Sequence, residues 1–110
     1  MPVLVPRPAF IAAVTERIAW LGENRNEDQL EHFLAGLARV RERIEQRPAA
    51  GALQKQNDAY VLRMYLFPRP LPYLVYYAYR RRQPIREIFL VRLYASGQDR
   101  PDFGMSEWPW

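Results

Sequence analysis

Residues 59–94 read AYVLRMYLFPRPLPYLVYYAYRRRQPIREIFLVRLY. Three runs rich in aromatic and branched side chains stand between two proline-bearing interruptions. Such runs bounded by turn residues predict strands over Ala59–Phe67, Tyr73–Tyr79 and Ile85–Tyr94. Pro68, Pro70 and Pro72 remove backbone donors and end the first strand. Arg80-Arg81-Arg82-Gln83-Pro84 makes a charged turn after the second. Connections this short join antiparallel strands, so the stretch predicts a three-stranded meander. Side chains alternate between faces of a strand. Val61, Arg63, Tyr65 and Phe67 therefore share one face of the first run, and Tyr60, Leu62, Met64 and Leu66 the other. In the third run Ile85, Glu87, Phe89, Val91 and Leu93 are expected opposite Arg86, Ile88, Leu90, Arg92 and Tyr94. A buried, unpaired guanidinium is costly, so the arginine-bearing faces are expected to be open, with Arg63 and Arg92 exposed.

Upstream the periodicity changes. Phe10, Ala13, Val14, Ile18 and Leu21 follow helical spacing, with Pro8 in the first turn and Gly22 at the end. Asn26 and Gln29 have capping-box spacing for a second helix, and Glu27 and Asp28 suit its positive first turn. Leu30, Phe33, Leu34, Leu37, Val40 and Ile44 make one apolar stripe, and Pro48 stops the helix. Pro2–Pro6 reads as a short edge strand. Ala49–Asp58 is expected to be a loop. A helical hairpin and a sheet must cover each other's apolar faces. The expected fold is therefore α+β, a two-layer β-α-α-β-β-β domain with the hairpin packed on a twisted antiparallel sheet. The amino-terminal strand should pair with the meander's last strand or one beside it.

The chain has 110 residues, 49% of them hydrophobic and 25% charged, which is the size and composition of one globular domain. It contains no cysteine, so disulfides and thiolate chemistry are excluded. No apolar run reaches the roughly 18 residues of a membrane span, and the opening residues do not read as a secretory signal. A cytoplasmic location and no membrane association are expected. Residues 1–47 hold seven arginines and seven acids, residues 48–100 nine bases and three acids, and residues 101–110 two acids. The net charge of +4 is thus +6 in the second half and −2 in the tail. A basic half of this kind suits a polyanion or an acidic protein segment.

Familiar catalytic sets are missing. His32 is the only histidine, on the polar side of the second helix, and no ligand cluster for a metal accompanies it. No cofactor motif occurs, and Glu42 and Glu45 sit among arginines as helix ion-pair partners. What remains is arginine and tyrosine. All seven tyrosines lie between Tyr60 and Tyr94, where they can stack on a partner or simply fill half-buried strand positions.

The order of strand, helical hairpin and meander resembles the ParE/RelE superfamily of type II toxins, over roughly residues 3–103. RPAFIAAVTERIAWLGENRNEDQLEHFLAGLARVRERIEQRP is similar to the family's helical hairpin, and YVLRMYLF and LPYLVYYAY to its central strands. IREIFLVRLYASGQDRPDF resembles its closing strand and ending, with Arg92 and Gln98-Asp99 on the pattern and Ala95 where a histidine is usual. The resemblance implies a toxin domain over residues 1–103 with a tail over 104–110. It implies a toxin that inhibits growth, no cofactor, and a hetero-oligomer with a cognate antitoxin. ParE-like members poison DNA gyrase without a catalytic set of their own. RelE-like members cut messenger RNA on the ribosome, using bases and a carboxy-terminal tyrosine. Here Lys55 is the single lysine and Phe103 stands near the expected tyrosine, so the ParE-like branch is favoured. The implied target contacts are Arg92, Gln98, Asp99, Arg100 and Phe103. The implied antitoxin contacts are Arg63, Arg69, Arg86, Trp108 and Trp110. A ribonuclease would have to draw on Lys55, Arg63 and Arg92. A degenerate member that only binds its antitoxin is the third possibility.

Overall fold

The computed structural model describes residues 2–24 and 26–97. Strand β1 (Val3–Pro6) leads into helix α1 (Pro8–Glu23), then helix α2 (Glu27–Gln46). A 3-10 turn (Pro48–Ala50) precedes β2 (Ala52–Gln56), β3 (Tyr60–Leu66), β4 (Tyr73–Arg80) and β5 (Glu87–Ala95). The strands form one five-stranded sheet in the order β1-β5-β4-β3-β2. Both helices and the three meander strands lie where the sequence places them, and β1 pairs with the last strand as expected.

Two features differ from expectation. The segment read as a loop over 49–58 contains β2, which pairs antiparallel with β3. The sheet is also mixed, because β1 runs parallel to β5. The second difference follows from the first. Tight connections reverse the chain at each step. With β2 present, β5 is the seventh element and runs in the direction of the first; without it, β5 would be sixth and antiparallel to β1. Ala-Leu-Gln-Lys-Gln carries little strand signal because β2 is a polar edge strand, mostly exposed. Its hairpin is set by Asn57, whose side-chain oxygen accepts from the backbone N–H groups of Ala59 (2.9 Å) and Tyr60 (2.8 Å). That Asx-type turn is what asparagine supplies at a chain reversal.

Because β1 and β2 are opposite edges, the helical hairpin between them crosses one face of the sheet. Phe10, Leu21, Phe33, Leu37, Val40 and Ile44 pack there on Val61, Val75, Tyr77, Ile88, Leu90 and Leu93. Phe33 is fully buried and stacks on Phe67 (centroids 5.9 Å) and edge-on to Tyr73 (5.0 Å). Leu34, expected in the stripe, lies at its margin and is exposed. The capping box does not form: Asn26 occupies the N-cap of α2 without a side-chain hydrogen bond.

The alternation expected for β5 also breaks. The register against β4 slips between Tyr76 and Tyr77, which face Arg92 and Leu90 respectively. The extra residue is Val91. A bulge of this kind shifts the pleat by one. Leu93 therefore joins Ile88 and Leu90 under the helices, while Phe89, Val91 and Tyr94 face the other way.

Candidate functional site

The strongest polar constellation lies where β2 and the 3-10 turn meet the sheet. Tyr77 is fully buried at the middle of β4. Its hydroxyl accepts from the Gly51 N–H at 2.9 Å and donates to the Pro48 carbonyl at 2.5 Å. Arg63, opposite Tyr77 on β3, donates through Nε to the Tyr79 hydroxyl (2.9 Å) and through Nη1 to the Gly51 carbonyl (2.9 Å). Two side chains thus hold both backbone groups of Gly51. A glycine is required there, since a Cβ would lie 2.7 Å from the Met64 carbonyl oxygen and 2.6 Å from the Tyr77 hydroxyl. The expectation that Arg63 stands on an open face is corrected here. It is half-buried on the helix-facing side, and its guanidinium is satisfied by a tyrosine and a carbonyl rather than by an acid.

Burial pushes the Tyr77 hydroxyl up to about 12, opposed by the Gly51 N–H and the Arg63 charge. At neutral pH it is a proton-bearing hydroxyl that fills two hydrogen bonds, and as such no general base. The folded protein holds this proton more tightly than the unfolded chain, where a tyrosine ionises near 10. The stabilisation is therefore complete below pH 10 and is lost as pH rises toward 12, by about 3 kcal/mol. A denaturant titration at successive pH values should show stability falling over that window. A Tyr77→Phe variant should lack this component.

Other sequence-predicted residues scatter. Arg92 occupies the β5 bulge opposite Tyr76, on the face away from the helices, and is half-buried rather than exposed. Its Nη1 donates to the Val91 carbonyl at 2.9 Å. Lys55 pairs across β2–β3 with Leu62, three strand positions away from β5. That places it roughly 14 Å from β5 by strand spacing. Arg63 points to the opposite face from Arg92, so Lys55, Arg63 and Arg92 do not converge on one point. Arg69 is exposed in the β3–β4 connection and Arg86 is exposed just before β5. Gln98, Asp99, Arg100, Phe103, Trp108 and Trp110 lie outside the described residues. His32 is exposed on α2, and among the described residues no group of three His, Asp or Glu side chains could hold a metal ion. Among those residues, too, no helix is long and apolar enough to cross a membrane.

Two surface features were not legible in the sequence. A cleft of about 230 Å³ lies between α2 and the end of β3, and a second of about 360 Å³ lies between Gly51–Ala52 and the same strand end; both are lined by Tyr65 and Leu66. Arg39 and Arg43 line the helix side of the first, and Leu66 is 61% exposed. The second is a cleft of about 200 Å³ between α1 and the end of β5, where the Arg17 guanidinium lies 5.4 Å from the Trp20 ring and 5.5 Å from the Tyr73 ring. The helical spacing of Arg39 and Arg43 was visible, but nothing marked Leu66 as the strand residue they would flank.

No protein-family model matches the chain, and no curated protein is similar to it.

Proposed function

We propose that the protein is the toxin of a type II toxin–antitoxin system, acting on DNA gyrase and neutralised by a cognate antitoxin. The support is the combination of a strand, a helical hairpin crossing one sheet face and a meander, together with the family-like segments of the sequence. The observation that favours gyrase over messenger RNA is the scatter of Lys55, Arg63 and Arg92. Cleavage of RNA requires a proton acceptor and cations gathered around one phosphate. Here one arginine is tied to Gly51, the other faces the opposite side, and the lysine is strands away. The antitoxin would lay an extended or helical segment in the α2–β3 cleft. Apolar anchors would meet Tyr65 and Leu66, and carboxylates would meet Arg39, Arg43 and Arg69.

Expression in bacterial cells tests the target. The gyrase reading expects filamentation, the DNA-damage response and, with purified components, cleaved DNA trapped in an ATP-dependent manner. Messenger RNA cut only in the presence of ribosomes would instead establish the RelE-like reading. Co-purification with the product of an adjacent gene tests the antitoxin. A non-toxic protein with no such partner would refute both branches.

A further inference from the structure

One end of the sheet gathers an excess of positive charge. Residues 80–86 read RRRQPIR, four arginines and no acid. Strands β4 and β5 are neighbours, with Tyr79 opposite Ile88, so the chain leaves and re-enters the sheet roughly 5 Å apart, one strand spacing. Arg80, Arg81, Arg82 and Arg86 therefore belong to one short turn, and all four are exposed. Arg81 Nη1 donates to the Asn57 carbonyl (3.0 Å), and the Arg80 guanidinium lies 5.9 Å from the Tyr60 ring centroid. Neither of these partners is a carboxylate. Against the four stand Asp58, next to Asn57 in the chain, and Glu87, next to Arg86, a net +2. The arginines of α2 differ, since Arg39 and Arg41 stand at helical ion-pair spacing from Glu42 and Glu45.

The turn is also pinned at both ends. The Arg81 N–H donates to the Ala59 carbonyl (2.8 Å), and the Arg86 carbonyl accepts from the Val3 N–H (2.9 Å). Backbone already fixed in this way lowers the ordering cost of any contact the side chains make. We infer that this turn binds the phosphate backbone of a nucleic-acid duplex. A guanidinium is flat, permanently charged and donates in pairs, which is the geometry a phosphate accepts. A DNA duplex carries one negative charge per roughly 1.7 Å of its axis, so four cations on one turn can each meet a phosphate. The phosphates offset the mutual repulsion of the arginines, and the counterions they release drive the binding.

The side chains around the turn narrow the partner. A protein interface is centred on desolvated apolar and aromatic anchors. No residue of 80–87 is among the exposed large hydrophobic side chains; Ile85 is half-buried, and Val3, paired with Glu87, stands at the margin. A single strand is held by bases stacked on aromatic faces. The aromatic residue at this turn, Tyr60, is 9% exposed and has Arg80 over its ring. Contacts to a duplex backbone require neither anchors nor stacking faces, and they read no sequence. Such binding needs neither gyrase nor an antitoxin, so it stands or falls apart from the proposed target.

Fluorescence anisotropy of the full chain with short labelled duplexes tests it, one of DNA and one of RNA, and the two arms tell which backbone is preferred. The expected result is sequence-independent binding that weakens on the order of 10²-fold between about 50 and 200 mM salt, the loss for about four phosphate contacts. Arg82→Gln and Arg86→Gln should each weaken binding several-fold and reduce the log–log salt slope by about 1, with the melting curve unchanged. Arg82→Lys should keep the slope. Arg47→Gln removes the same charge from the exposed end of α2 and should change neither affinity nor slope. The two glutamine variants flank the turn, so one decides if the other fails to fold. No binding at the lower salt, or an equal loss on Arg47→Gln, would overturn the proposal. So would tighter binding of the single strand than of its duplex. Tighter binding of a poly-glutamate peptide of equal charge would also overturn it and make an acidic protein segment the partner.

Discussion

Phe33→Ala should destabilise the domain by about 3–5 kcal/mol, the cost of removing a fully buried aromatic ring that cannot be replaced by collapse. Phe33 is the point where α2 meets the end of the meander. Its ring touches Phe67 at the end of the first central strand and Tyr73 at the start of the second. Those two rings also contact each other at 5.4 Å, so the deletion empties the centre of a three-ring cluster. Gly36, one turn on, is packed as closely, since a Cβ there would lie 2.7 Å from Leu71 Cδ1 and 3.0 Å from Phe67. The helix therefore has little room to settle into the gap. Chemical denaturation should show a large drop in midpoint with little change in slope. A loss below about 1 kcal/mol would mean that the hairpin is not docked on this end of the sheet.

The second large effect is expected at Tyr77. Tyr77→Phe keeps the ring and its volume, so no cavity opens. It leaves the Gly51 N–H without its acceptor and the Pro48 carbonyl without its donor. A buried group stripped of its partner costs about 1–3 kcal/mol, and two such groups, one of them only half-buried, give about 2–4 kcal/mol. Local opening should concentrate at the 3-10 turn and β2, read as faster amide exchange at Gly51 and its neighbours. Gly51→Ala should mimic this loss, because the Met64 carbonyl is backbone and cannot turn aside. If Tyr77→Phe abolished the proposed growth inhibition with stability unchanged, the hydroxyl would belong to the protein's activity instead of its architecture.

Much of this was legible in the residues. Period 3.6 in Phe33, Leu37, Val40 and Ile44 and proline stops at Pro48 and Pro68 act within a few residues of chain. They set which segments are helix and strand regardless of what packs on them. The aromatic run of β4 could likewise be read as the middle strand of the meander, though its burial on both faces could not. Local grammar was silent on β2, because an exposed edge strand needs no apolar alternation and is held by backbone pairing to β3 and by the Asn57 turn. Missing that one reversal inverts the direction of the last strand, so the parallel β1–β5 pair could not be foreseen either.

The β5 bulge belongs to the same class. Nothing in Phe89-Leu-Val-Arg-Leu93 shows where a register slips, since the slip is decided by fitting Leu90 and Leu93 under the helices at once. The place of Arg63 was decided the same way. Its sequence neighbours suggest a solvated cation, but pairing sets it opposite Tyr77 and beside the Gly51 carbonyl, partners 14 and 12 residues away. Residue types and local spacing determined the elements and their apolar faces. Direction, register and the partners of buried polar groups were decided by the assembled sheet, because they depend on backbone and side-chain groups brought together only when the strands pair.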